Sequence, residues 1–221
     1  MSTRFADDID LEIPEWVTSL EAFRRWTDEP DFPEKGNIWW LRGGVWADMS
    51  KEQLFTHLVT KGVIFAVLLR LVEDADLGVL FPDGLLLTNK SAGVSGNPDA
   101  TFITHEALAA GRAVLIKGKR GGYTEVQGSP EMVLEVVSQG SELKDYTLLR
   151  EDYFTAGVSE YWLVDARPEP VSFEILKRGT TGFTATRKQA GWVKSAVFGK
   201  SFRLLIGKDR SGNPRPKLEV K

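Results

Sequence analysis

Two carboxylates in this sequence stand where chemistry could be built on them. The stretch Pro130-Glu131-Met132-Val133-Leu134-Glu135-Val136-Val137-Ser138 reads as a strand whose apolar run, without polar alternation, suits burial on both faces, and Glu135 interrupts it. An unpaired carboxylate there is costly, so a cation, a metal ion or a positioned partner is the expected compensation, unless Glu135 lies at a strand end and reaches solvent. Upstream, Pro98-Asp99-Ala100-Thr101-Phe102-Ile103 puts Asp99 at the opening of another strand, although Asp beside Pro is also a common turn former. On neighbouring strands, Asp99 and Glu135 would hold one divalent cation together with the backbone carbonyl of Val136. Such oxygen-only ligation suits magnesium or manganese and leaves waters for a phosphate substrate and a nucleophile. Phosphodiester hydrolysis would gain from a nearby cationic side chain, and Lys144 and Arg150 are the nearest in sequence. His57 could face a phosphate or a metal-bound water, but a half-exposed surface position is the expectation for it.

Composition narrows the field around these residues. The chain has 221 residues, enough for one larger domain, with 42% hydrophobic and 27% charged residues, ordinary for a globular protein. It has no cysteine and two histidines, which excludes disulfides, thiolate nucleophiles, cysteine-ligated zinc and a multi-histidine metal site. The closest candidate for a membrane span, Gly62 to Arg70, reads as too short to cross a bilayer. The acidic start, with Asp7, Asp8, Asp10 and Glu12, lacks the order of a secretion signal, so the expected location is the cytoplasm with no membrane partner. A net charge of −3 gives no global support for nucleic-acid binding. Local basic clusters exist at Lys117-Lys119-Arg120 and at Arg187-Lys188 with Lys194 and Lys200, and they read as solvated loops rather than grooves.

The elements that would position the carboxylates follow from the patterning. Residues 1–36 read as an acidic arm with one short helix from Ser19 to Trp26; residues 37–207 read as the domain; residues 208–221 read as a polar, frayed tail. Ile38 to Leu41 and Val45 to Met49 flank Gly43-Gly44 as a hairpin, its tryptophans packing the core. Ser50 and Gln53 look like a capping box opening a long helix to Val72, with Leu54, Leu58, Phe65, Leu68, Leu69 and Val72 on its buried face and His57 and Lys61 elsewhere. Val79 to Phe81 and Leu85 to Leu87 read as a second hairpin, followed by a Gly/Ser-rich loop over 89–97. Shorter elements follow before Pro130, and Glu125 among them reads as surface unless it faces Glu135. A helix from Asp145 to Ala156, with Tyr146, Leu149, Tyr153 and Ala156 buried and Gly157 as its stop, then links the Glu135 strand to Glu160–Asp165 as a βαβ unit with parallel strands. Antiparallel strands are expected from Val171 to Leu205.

Pro98-Asp99, the Glu135 strand, and Tyr153-x-x-Ala156-Gly157-Val158-x-Glu160-Tyr161-Trp162-Leu163-Val164-Asp165 resemble, in that order, the Uma-type restriction endonucleases, a branch of the PD-(D/E)XK nuclease superfamily. The resemblance runs from about Ile38 to Val171 and less clearly to Leu205. It implies an α/β restriction-endonuclease-like core, a mixed central sheet flanked by helices with extra antiparallel strands at the C-terminus, and metal-dependent cleavage of DNA with Asp99 and Glu135 as the metal carboxylates. The chain departs from the pattern at the superfamily lysine: the position two after the strand carboxylate is Val137, and the alternative position four before the helix tyrosine is Leu149. Lys144 is the preferred substitute, since lysine can both position water and shift its pKa, with Arg150 and His57 as accessory candidates. The glutamate expected near Trp40 is absent, leaving Glu125 or Asp48 to replace it. Cutting both strands of a duplex would suit a homodimer. The alternative function is a catalytically degenerate nuclease fold serving as a nucleic-acid-binding or assembly module.

Overall fold

The computed structural model describes residues 11–119 and 121–221; Asp7, Asp8 and Asp10 of the acidic arm and Arg120 of the basic loop lie outside them. Helix α1 (Leu20–Trp26) opens where Ser19 accepts a bond from the Ala22 N–H, and it buries Phe23 and Trp26 against Ile38 and Trp40. Those two belong to β1 (Asn37–Leu41), which turns into β2 (Gly44–Asp48) with Trp39 opposite Trp46. The hairpin forms as expected, but its two turn residues are Arg42 and Gly43, both at positive φ, one position earlier than the Gly-Gly reading.

The long helix departs from its sequence pattern. Ser50 does not cap it: its N–H donates to Asp48 Oδ1 at 2.9 Å, and Gln53 opens the helix without a side-chain cap. The chain enters through a π-helical turn, Leu54–Val59, closed in part by Thr60 Oγ1 donating to the Phe55 carbonyl, and continues as α2 (Thr60–Asp74). A wider turn shifts every following residue around the axis relative to a 3.6-residue period. Leu54 and Leu58, placed on the buried face by that period, are therefore 64% and 41% exposed, while His57 and Lys61 are buried. The helix from Leu54 to Asp74 spans 21 residues and is long and apolar enough to cross a bilayer, where no such segment was expected; its Ile64, Leu68 and Val72 pack into a core.

From Gly78 the chain alternates between two sheets. β3 (Gly78–Pro82) pairs with β6 (Ala100–Thr104), whereas β4 (Leu86–Asn89) pairs with β5 (Val94–Gly96) and with β8 (Tyr123–Gly128). The expected β3–β4 hairpin is thus a crossing at Asp83-Gly84, and the Gly/Ser-rich segment contains a strand. α3 (His105–Ala109) leads to β7 (Ala113–Lys117), which pairs with β8. β9 (Met132–Val136) is buried at every position, which explains the missing polar alternation. A π-helical turn, Lys144–Leu148, and α4 (Leu149–Thr155) then carry the chain to β10 (Glu160–Asp165), parallel to β9 from Glu160 opposite Met132 to Val164 opposite Val136. Leu149, Tyr153 and Ala156 are buried as expected; Tyr146 is exposed instead.

The C-terminal part forms β11 (Ser172–Arg178), β12 (Phe183–Ala185), β13 (Val193–Lys194), β14 (Ser201–Lys208) and β15 (Pro214–Val220). The expected frayed tail is largely β15, paired with β14 from Phe202 opposite Val220 to Lys208 opposite Pro214. Its prolines hid it, but at a sheet edge the missing N–H groups are tolerated, and Pro216 and Leu218 alternate inward.

The layers follow from these pairings. A mixed sheet in the order β12-β11-β10-β9-β6-β3 is the centre. One face packs Val133, Tyr161 and Leu163 with α4 and with a second mixed sheet, β2-β1-β5-β4-β8-β7. The other packs Met132, Leu134 and Trp162 with α2 and the three-stranded sheet β13-β14-β15. The fold is therefore mixed α/β with sheets flanked by helices, as expected, with a second mixed sheet stacked on the first.

Glu125, on β8, is neither at the surface nor facing Glu135. It is buried and accepts two bonds of 2.7 Å from Arg24 Nε and Nη2, tying α1 to the second sheet. Burial alone would raise its pKa, but the Arg24 guanidinium outweighs burial and holds it below the usual carboxylate range. Because the folded value is the lower one, the pair's contribution is complete above the unfolded value of about 4.3 and is lost as pH falls through the folded value. Glu125→Gln should cost about 2 kcal/mol at pH 7 in urea unfolding, and the gap to wild type should narrow as pH falls below the unfolded value of about 4.3. A gap that stays constant with pH would show that the ion pair contributes nothing.

Candidate active site

The β6–β9 register pairs Thr101 with Val133 and Ala100 with Leu134, so Asp99, one residue before β6, lies beside the Glu135–Val136 end of β9. Both carboxylates are buried, at 8% and 3% exposure, and Asp99 Oδ2 accepts the Val136 N–H at 2.6 Å. Glu135 reaches the side lined by α4, where Oε1 accepts from the Tyr153 hydroxyl at 2.7 Å and Oε2 lies 3.2 Å from Lys144 Nζ.

Lys144 and Asp145 open the π-helical turn before α4, and both are buried there. The Lys144 ammonium is 2.5 Å from Asp145 Oδ1 and lies over the rings of Trp39 and Trp46 at 4.7 and 5.5 Å. Ser141 donates to Asp145 Oδ2, and the Tyr161 hydroxyl donates to the Asp145 carbonyl at 2.8 Å, so the helix start is held against β10. Burial raises the Glu135 carboxyl well above the carboxylate range; the Lys144 ammonium opposes this, and Asp145 and Asp99 add to it. Burial likewise raises Asp145 against the pull of Lys144. Lys144 itself is disfavoured as a cation by burial, but Glu135 and Asp145 outweigh that and raise its pKa. The result is two carboxyls sharing one ammonium. Burial and the neighbouring carboxylates keep Tyr153 and Tyr161 protonated, hence as donors.

A second constellation surrounds Asp99. Lys61 Nζ from α2 is 3.2 Å from Asp99 Oδ1, 2.6 Å from Asp83 Oδ2 and 3.3 Å from Glu52 Oε1. His57, expected to be half-exposed, is buried between them, with Nε2 3.7 Å from Asp99 Oδ2 and Nδ1 3.4 Å from Glu52 Oε2.

The structure thus brings together Asp99, Glu135, Val136, Lys144 and His57. It leaves Arg150 out, since its guanidinium donates to the Phe183 carbonyl on β12 at 3.0 Å. Val137 and Leu149, at the two usual lysine positions, are core residues. Of the proposed early acids, Glu125 is bound to Arg24, and Asp48 accepts from Ser50 and lies 3.5 Å from Ser138 Oγ. The acid near Asp99 is instead Glu52, which the capping-box reading had obscured. Lys61, Asp83 and Asp145 were missed as well, and only the charged pair Lys144-Asp145 beside an apolar helix face could have signalled one of them.

Five carboxyl groups, from Glu52, Asp83, Asp99, Glu135 and Asp145, here meet two ammonium groups, from Lys61 and Lys144. That acidic surplus on oxygen donors fits a hard divalent cation. Among the described residues no three His, Asp or Glu side chains form a ready-made metal cage.

Sequence and fold comparisons identify the fold and the family. A crystal structure described as "a putative nuclease belonging to DUF820" from Anabaena variabilis ATCC 29413 superposes with a TM-score of 0.61 at 15% identity, over 82% of this chain and 90% of that one, and so shares the fold. No curated protein matches the chain in sequence. The family model Uma2, described as "Putative restriction endonuclease", matches residues 20–200, which include every residue of both constellations. The chain belongs to the Uma2 family.

Proposed function

We propose that this protein is a nuclease that hydrolyses phosphodiester bonds of DNA with a magnesium or manganese ion. The observation that carries the reading is that Asp99 accepts the N–H of Val136, the residue after Glu135, at 2.6 Å, with the Lys144 ammonium 3.2 Å from Glu135. Asp99, Glu135 and the Val136 carbonyl would hold the ion. The carbonyl lies on the same edge of β9 as the N–H that donates to Asp99, because both groups of an extended residue point the same way. A bound ion would supply Lewis-acid polarisation of the phosphate and a more acidic water. Lys144, fixed by Glu135, Asp145 and two tryptophan faces, would orient the attacking water and offset charge developing on the phosphoryl oxygens. Tyr153 holds the Glu135 carboxylate by donating to Oε1. Two copies related by a twofold axis would serve to cut both strands.

Supercoiled plasmid should be nicked or linearised with magnesium or manganese and left intact with a chelator. Lys144→Met should slow single-turnover cleavage by about a hundredfold or more, whereas Arg150→Met should stay within about threefold. Equal losses in the two variants would take the role from Lys144. The degenerate-fold reading draws on one feature, that Lys61 and Lys144 already neutralise both carboxylates from within the chain. Calorimetry with manganese separates the two readings, since a degenerate site would take up no ion.

A further inference from the structure

Lys61 contacts the one Asp99 carboxylate oxygen that the Val136 N–H leaves free. Asp99 Oδ2 is committed to the Val136 N–H, and the ammonium contacts the other oxygen, Oδ1, at 3.2 Å. The contact to Asp83 is much shorter, at 2.6 Å, and Glu52 Oε1 is 3.3 Å away. The three donors of the ammonium thus face three carboxylates. Burial disfavours its charge, but Asp99, Asp83 and Glu52 together outweigh burial and raise its pKa, so it remains a cation. Asp83 sits on the crossing between β3 and β4 with its side chain 41% exposed, outside the buried pair it serves. Lys61 therefore has two anchors, one that a metal would need and one that it would not.

We propose that Lys61 and a divalent cation compete for Asp99, and that Asp83 with Glu52 retains the displaced ammonium beside the site. The proposal rests on the reading of Asp99 and Glu135 as metal carboxylates. Before a cation binds, Lys61 spares the chain a buried, unpaired carboxylate, which would be costly. Once it binds, the ammonium would repel it unless a separate counter-ion held the ammonium, and Asp83 is that counter-ion. The consequence is a threshold, set within the chain, for loading the site.

Manganese titration calorimetry on the full chain tests this with wild type, Lys61→Met, Asp83→Asn and the double variant, each checked for folding by circular dichroism. Lys61→Met should bind manganese about tenfold tighter or more. Asp83→Asn should bind it severalfold more weakly, because the ammonium then leans on Asp99. In the Lys61→Met background Asp83→Asn should have no further effect, since the two act through one contact. Should Lys61→Met not fold, Lys61→Gln takes its place, keeping a donor for Asp99 without the charge. Unchanged or weaker binding in the Lys61 variant overturns the competition, and an equal Asp83 effect in both backgrounds overturns the retained anchor. If manganese binds wild type and the Lys61 variant alike and Glu135→Gln abolishes it, the metal reading stands and the competition fails. If no variant takes up manganese, both fail together.

Discussion

Glu135→Gln is expected to slow cleavage of duplex DNA by about a thousandfold or more, equivalent to about 4 kcal/mol of transition-state stabilisation, while the chain stays folded. The substitution keeps the size of the side chain and leaves an amide oxygen for the Tyr153 hydroxyl. Lys144 retains Asp145 as a partner at 2.5 Å, so no buried ammonium is left without a counter-ion. What is removed is one anionic oxygen pair from the point where Asp99 and Glu135 meet. Single-turnover assays on an end-labelled duplex, with circular dichroism on the same samples, measure both halves of the expectation. Cleavage within tenfold of wild type would show that Glu135 is only the counter-ion of Lys144 and that the chemistry lies elsewhere.

Glu160→Ala is expected to be the more damaging change for stability, at about 3–5 kcal/mol, or roughly 10 °C in melting temperature. This carboxylate opens β10, almost fully buried, and accepts four bonds: from Trp162 Nε1 at 3.0 Å, Ser195 Oγ at 2.6 Å, and the N–H groups of Ala196 and Val197 at 2.5 and 3.2 Å. Ser195 in turn accepts from the Phe198 N–H, and Phe198 packs against Phe102, Trp162 and Phe202. Alanine would leave four donors facing a cavity, each short of a partner. Glu160 lies opposite Met132, at the other end of β9 from Val136, so cleavage by the molecules that remain folded should be unchanged. A loss below about 1 kcal/mol in urea unfolding would refute the anchoring role, and a loss of activity without a loss of stability would make Glu160 part of the site.

These two glutamates show how unevenly the sequence exposes function. Both stand in strands of the same βαβ unit, Glu135 inside an apolar run and Glu160 at the first position of its strand. Pattern alone marks Glu135 as a buried charge in need of compensation and leaves Glu160 as a strand opening. It does not say that one is compensated by four neutral donors and the other by a lysine beside a second carboxylate. The Glu-Tyr-Trp run, the most conspicuous part of the family resemblance, proves to be supporting structure: Glu160 ties down the 195–198 segment, Tyr161 holds the start of the Lys144 turn, and Trp162 fills the core.

The sequence by itself determined the elements whose signals are local. The β9–α4–β10 crossover follows from two largely apolar strands around a helix that ends at Gly157, and the first hairpin follows from tryptophans flanking a short turn. Asp99, Glu135 and Lys144 were legible as candidates because each breaks or borders such a pattern. Tertiary structure decided everything that depends on which strand meets which, and on helical phase. β3 and β4 lie in different sheets because their partners, β6 and β8, are distant in sequence, and β15 exists because β14 and α2 bury Pro216 and Leu218. His57 and Lys61 face Asp99 because a π-helical turn, not a 3.6-residue period, sets their direction. That change of phase brings a second ammonium to the carboxylates, and no residue pattern announces it, because apolar periodicity reports a 3.6-residue turn and not a wider one.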